Sequence, residues 1–137
     1  SVAATGSLFY AIVVHTALAW AAEETHPSEA KSALRAALQF ATERKVWRQT
    51  VWVVEVGARL VVADGNPEMA ARLLGTCEYL RRTGDNLMPA WDVATYAETR
   101  SRVAAGVGQR FDDLLAEGAD WTLDEAIDRL AAALAAD

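Results

Sequence analysis

Residues His26-Pro27-Ser28-Glu29-Ala30 return 40 positions later as Asn66-Pro67-Glu68-Met69-Ala70. The same shift sets Leu34 on Leu74 and Ala37 on Cys77. Upstream it sets Ile12 on Trp52, Val13 on Val53, Ala17 on Gly57 and Trp20 on Leu60. Small residues fall on small ones and large apolar residues on apolar ones. A unit that recurs in this way does not bury its apolar face alone, so neighbouring units must stack. The pattern fits stacked helix pairs, with small residues where helices approach closely and large ones in the groove between.

The local pattern is helical throughout. No segment alternates apolar and polar residues for long enough to be a half-buried strand. The run Val51–Val54 is rich in strand formers, but it continues unbroken through Glu55-Val56-Gly57-Ala58-Arg59-Leu60, which is helix length. Helices are expected at about 3–24, 28–43, 46–64, 67–83, 90–107, 109–117 and 123–135. Pro27 and Pro67 suit the first turn of a helix, where the missing N–H is no loss. Asn66 is an N-cap for the helix that Pro67 opens. Thr122-Leu123-Asp124-Glu125 reads as a capping box, with hydroxyl and carboxylate each satisfying the other residue's N–H. Gly65, Gly84, Gly106 and Gly108 are read as helix ends. The expected architecture is all-α: one domain over 1–137, with repeat-like pairs at about 3–43 and 46–83 and C-terminal capping helices at about 90–135. The expected core is Phe9, Val13, Trp20, Leu34, Leu38, Val53, Val56, Leu60, Leu73, Leu74, Leu80, Phe111, Leu114, Ile127 and Leu130.

Composition narrows the class. Of 137 residues, 53% are hydrophobic and 23% charged, enough apolar surface for a packed core. The net charge of −6 repels phosphate backbones, so direct nucleic-acid binding is not expected. The one cysteine, Cys77, excludes an internal disulfide and fits a reducing, cytoplasmic compartment. The apolar stretch Leu8–Ala22 is broken by His15 and Thr16 and is short for a membrane span. It lacks the basic flank of a signal peptide, and no membrane association is expected. The chain opens on Ser1, so a fragment of a longer protein is expected.

Catalytic motifs are wanting. Gly106-Val107-Gly108 has Phe111 where a dinucleotide fingerprint needs its third glycine. His15 and His26 stand in no metal-binding spacing. Cys77 takes a small-residue repeat position and is expected to be a packing residue. The pairs Asp112-Asp113 and Asp124-Glu125 do not face one another on a helix, and Arg81-Arg82 suits a helix C-terminus electrostatically. No cofactor, metal or catalytic residue is expected. Glu55 and Arg59 are different. They stand four apart within an apolar helix, where they can pair on one face. Trp52 lies one turn before Glu55, and the 40-residue shift puts His15 at the place of Glu55.

A family resemblance covers about half the chain. It rests on Ala70-Ala71-Arg72-Leu73-Leu74-Gly75, Glu78-Tyr79-Leu80-Arg81, Pro89, Tyr96, Arg100, Phe111, Ala116-Glu117-Gly118 and Leu123-Asp124-Glu125-Ala126-Ile127. In this order the stretch Gly65–Leu134 resembles the helical-repeat C-terminal region of large actinobacterial LuxR-type or cyclase-like regulators that carry a STAND-type ATPase module. Thr76-Cys77 and Ala119-Asp120-Trp121 depart from the usual alanines and arginine-led linker. The resemblance implies a short tetratricopeptide-like solenoid of antiparallel helix pairs, about seven helices in all. It implies a non-catalytic interaction or sensor module of a transcriptional regulator, whose partners are other domains of the same chain or a partner protein segment. A free-standing helical protein that binds a small ligand between helices is the alternative. In a tetratricopeptide-like pair the first helix lines the concave face, which places His15, Trp52, Glu55 and Arg59 at the expected binding surface. Self-association through the apolar first helix is also expected.

Overall fold

The helix starts follow from local hydrogen bonding. In the computed structural model, which describes residue 12 and residues 15–44, 47–84 and 88–135, Asn66 Oδ1 accepts the Met69 N–H at 3.3 Å and Pro67 opens the helix behind it. The capping box forms as expected: the Glu125 N–H donates to Thr122 Oγ1 at 3.1 Å, and the Thr122 N–H donates to Glu125 Oε1 at 3.3 Å. Thr122→Ala removes one acceptor and is expected to cost about 1 kcal/mol in a urea melt, whereas Thr122→Ser, which keeps the hydroxyl, is expected to cost little or nothing. Equal losses for the two substitutions would show that the cap is not formed.

Six α-helices follow a helical segment at residues 15–22. They are α1 (Pro27–Arg44), α2 (Trp47–Ala63), α3 (Pro67–Thr83), α4 (Val93–Val107), α5 (Phe111–Ala119) and α6 (Leu123–Ala135). Single 3-10 turns at Ala90–Asp92 and Gly108–Arg110 lead into α4 and α5. The described residues contain no strand, and Val51–Val54 lies within α2. The single helix expected at 90–107 is thus split, because the chain tightens into a 3-10 turn at Ala90–Asp92 before α4 starts. Gly65 and Gly108 take positive φ, 89° and 65°, as helix-ending glycines do. Gly84 ends α3 at φ −105°, its N–H returning to Leu80 O, and Gly106 sits inside α4. Gly106 faces Pro67, where a Cβ would come within 2.7 Å.

The core is built around α2 and α3. Ala30, Leu34 and Ala37 on α1 are buried, as are their 40-residue counterparts Ala70, Leu74 and Cys77 on α3. The 40-residue correspondence in burial thus holds between α1 and α3. Upstream it breaks down. Trp20 is 39% exposed, whereas Leu60 is 4% exposed. Residues 17, 18, 20 and 21 leave one face of the N-terminal segment open, while α2 has neighbours on every side. Leu80, also expected in the core, is half-buried near the end of α3. Phe9 and Val13 lie outside the described residues. The other expected core residues are buried.

Helix α3 makes its most extensive contact with α5, by direct backbone approach. A Cβ at Gly75 would fall 2.1 Å from Leu115 O, and one at Gly118 would fall 1.7 Å from Arg72 O. Thr76 Oγ1 donates to Gly118 O at 2.6 Å across the same crossing. Without side chains between them, the two axes close until hydroxyl and carbonyl meet.

Helix α6 returns to the front of the chain. Its buried residues Ala126, Ile127, Leu130 and Leu134 form one stripe, and it packs on α1, α2 and α3. Gly57 admits Leu130, whose Cδ2 would lie 2.4 Å from a Cβ at that position. Arg35 of α1 donates to Leu134 O at 2.7 Å, satisfying a carbonyl of the last turn. In a one-dimensional stack each pair touches only its neighbours. Here the last helix closes the bundle over the first ones.

Candidate functional site

Trp52, Glu55 and Arg59 share α2, the helix most enclosed by its neighbours. Every residue from Val53 to Val61 is buried. A charge placed there loses its hydration and needs a partner close by. The expected pairing of Glu55 with Arg59 is replaced by two separate clusters, because neighbouring helices bring opposite charges to each. The expected open face at these residues is closed for the same reason: Glu55 is 3% exposed and Arg59 7%.

Glu55 faces the end of α3. Its Oε1 lies 2.6 Å from Nη1 of Arg81 in a buried ion pair. Asp92, from the 3-10 turn before α4, is buried against the same cluster, and its Oδ2 has no hydrogen-bond partner among the described residues. Burial pushes the Glu55 carboxyl up from its ordinary 4.5 to about 8. A hydrogen bond with Asp92 and the negative charge of Asp92 add to the rise, and Arg81 opposes it. Arg81 was read from sequence as part of a basic patch with Arg82. The structure separates them: Arg81 turns inward over the Tyr96 ring, 5.5 Å from its centroid, and Arg82 lies over Tyr79 on the exposed side. Glu78, one turn back on α3, accepts from Arg100 Nε at 2.8 Å and from the Tyr96 hydroxyl, tying α3 to α4.

Arg59 faces the other way. Its Nε donates to Glu23 Oε1 at 2.5 Å, and both side chains are more than nine-tenths buried. Nη1 reaches Thr99 Oγ1 at 3.3 Å and Nη2 reaches Glu98 Oε1 at 3.4 Å, both on α4. One guanidinium thus joins the N-terminal segment, α2 and α4. This fan of planar donors is what arginine supplies and lysine does not.

His15 takes another neighbour. Its ring stacks on Phe40 of α1 at 5.6 Å with 22° between the planes. Of the four residues expected at a shared surface, only His15 and Trp52 retain intermediate exposure. Trp52 meets Trp91 edge to face at 5.5 Å. Trp91 itself is 60% exposed and Val93 beside it 53%. A tryptophan left this open, on a turn whose next residue is buried, forms a small aromatic ledge.

Two adjoining grooves run between α1 and α6, each of about 500 Å³. Both include Thr42, Ile127 and Asp128 in their walls, with Leu38 and Arg35 in one of them. A smaller cavity of about 120 Å³ lies beside Glu23, Leu60 and the Lys31–Asp64 ion pair. Among the described residues no group of three or more His, Cys, Asp or Glu is placed to hold a metal ion. No helix among them is long and apolar enough to cross a membrane. Cys77 is buried and burial pushes its thiol above the ordinary range, which withholds the thiolate a nucleophile requires.

Sequence reasoning missed Glu23, Asp92 and Trp91, and it read Arg81 only as a cation suited to a helix C-terminus. Tyr96 and Arg100 carried a signal only through the resemblance. Spacing held no clue to Glu23, which meets Arg59 across 36 residues. No family model matches the chain, and neither a curated protein nor a solved structure matches it.

Proposed function

We propose that the chain is a non-catalytic interaction module of a multidomain transcriptional regulator, a short tetratricopeptide-like unit closed by its C-terminal helix. What carries the reading is the Trp91 ledge. Binding energy at protein interfaces concentrates on a few aromatic and arginine side chains held on rigid supports. Trp91 and Val93 are open to solvent, Trp52 braces them, and Asp92 beneath is anchored inside. Glu55 and Arg59 then act as internal supports of the surface, not as its contact residues. The partner, on the resemblance given above, is another domain of the same protein, with the ATPase module first in line. The exposed Leu18 and Trp20 make a second apolar face suited to self-association or to a preceding domain.

The test begins with the reading frame, which is expected to encode a phosphate-loop ATPase module. Titrating that module against this chain and against Trp91→Ala is expected to show about tenfold weaker binding for the variant, with an unchanged melting temperature. A frame without such a module, or equal binding by both proteins, would remove the reading. The α1–α6 grooves favour a second reading, a helical protein that holds a small ligand between helices.

A further inference from the structure

The two grooves between α1 and α6 share Thr42, Ile127 and Asp128, so they form one trough. Its direction follows from which helix ends meet. Arg35, early in α1, reaches Leu134 at the end of α6, and Ala41, late in α1, shares a wall with Leu123 and Asp124 at the start of α6. The two helices are antiparallel, and from Arg35 to Glu43 the trough runs about 12 Å by the helical rise. Leu38, Ala41 and Ile127, all buried, and half-buried Leu123 give it an apolar floor. Charge is sorted along its length. Arg35 is the only cation among the described lining residues, and its guanidinium is engaged by Leu134 O and Ser32 Oγ. Glu43, Asp124 and Asp128 stand toward the other end. Asp124 and Asp128 are exposed, lie one turn apart on one side of α6, and have no ion-pair or hydrogen-bond partner among the described residues. An apolar floor with unpaired carboxylates at one end is complementary to a molecule built the opposite way.

We propose that this trough binds an amphiphilic cation, a small molecule with an apolar chain and an ammonium head. The chain lies along Leu38 and Ile127, and the ammonium donates to the carboxylates of Asp124 and Asp128, with Glu43 on the facing helix adding to the negative field. Each groove holds about 500 Å³, a size usual for small-ligand sites. An anion of the same shape meets three carboxylates and is turned away. The proposal rests on the ligand-binding reading of these grooves given above and is independent of the Trp91 ledge.

The experiment is a calorimetric titration of the whole chain with octylammonium, octanoate, octanol and propylammonium. Octylammonium is expected to saturate a single site. Octanoate is expected to give no binding heat, and propylammonium, which lacks the chain, to bind at least about tenfold more weakly. Asp124→Asn combined with Asp128→Asn is expected to weaken octylammonium by about tenfold or more. Asp112→Asn combined with Asp113→Asn removes the same charge from the start of α5 and is expected to leave binding unchanged, which separates the trough from the general pull of an acidic chain. Ala131→Phe sets a ring on an exposed lining position and is expected to block the site. All five substituted positions are exposed, so the fold is not at stake. Equal losses in the two double variants, or binding untouched by Ala131→Phe, overturn the proposal. Octanoate and octanol binding as tightly as octylammonium, all blocked by Ala131→Phe, overturn the selection for a cation but leave the grooves a ligand site. No binding by any of the four removes both.

Discussion

Gly118→Ala is expected to lower the folding free energy by about 3 kcal/mol or more, a large share of a small domain's stability. The reason lies in what the added methyl would meet. It would sit 1.7 Å from the Arg72 carbonyl oxygen, and that oxygen belongs to the backbone of α3 and cannot rotate aside. Relief requires α3 and α5 to part along their most extensive contact. Parting them also lengthens the 2.6 Å hydrogen bond from Thr76 to the Gly118 carbonyl and opens space around buried Phe111 and Leu114. Gly57→Ala is the proper comparison. The atoms nearest its methyl would be those of the Leu130 side chain, from 2.4 Å, and methyl groups can shift with a change of rotamer. Urea melts of the three proteins should rank wild type, Gly57→Ala, Gly118→Ala in falling stability. If Gly118→Ala lost less than about 1 kcal/mol, the two helices would not cross in backbone contact.

Arg59→Ala is expected to destabilise by about 3–5 kcal/mol, because it strands the Glu23 carboxylate in the interior without its partner. Glu23 Oε2 already lacks a hydrogen-bond partner among the described residues, so little else remains to hold the charge. The loss comes mainly from the orphaned charge and not from the attraction removed. Glu23→Gln in the Arg59→Ala background is therefore expected to restore part of the stability. A double-mutant cycle measures this directly. A coupling energy below about 0.5 kcal/mol would mean that the two side chains do not pair in solution. Had Arg59 lined an open docking face, the same substitution would have left the melting temperature nearly unchanged, so one measurement separates a buried support from a contact residue.

Helix placement is legible in the sequence. The caps at Asn66 and Thr122, the prolines at 27 and 67 and the glycine at 65 act through hydrogen bonds and torsions within a few residues of themselves. Information of that kind is local, and the chain states it directly. The buried small residues of α1 and α3 were legible for a related reason: periodicity says which face of a helix is apolar before it says what covers it.

Tertiary structure alone decided what each face meets. The 40-residue shift sets Trp20 on Leu60, yet only Leu60 is enclosed, since exposure depends on which helices pass nearby. Glu55 and Arg59 stand at the right spacing for a pair on an open helix surface. They separate because α2 is buried and stronger, desolvated partners arrive from elsewhere: Arg81 and Asp92 on one side, Glu23 and Thr99 on the other. Nothing in the spacing of Gly57, Gly75 and Gly118 distinguishes a helix end from a crossing point. Each became a crossing only when Leu130, Leu115 and Arg72 came against it. Hydrogen bonds between neighbours are written in sequence order, whereas the pairing of buried charges and the fit of bare backbone against backbone exist only once distant helices have met.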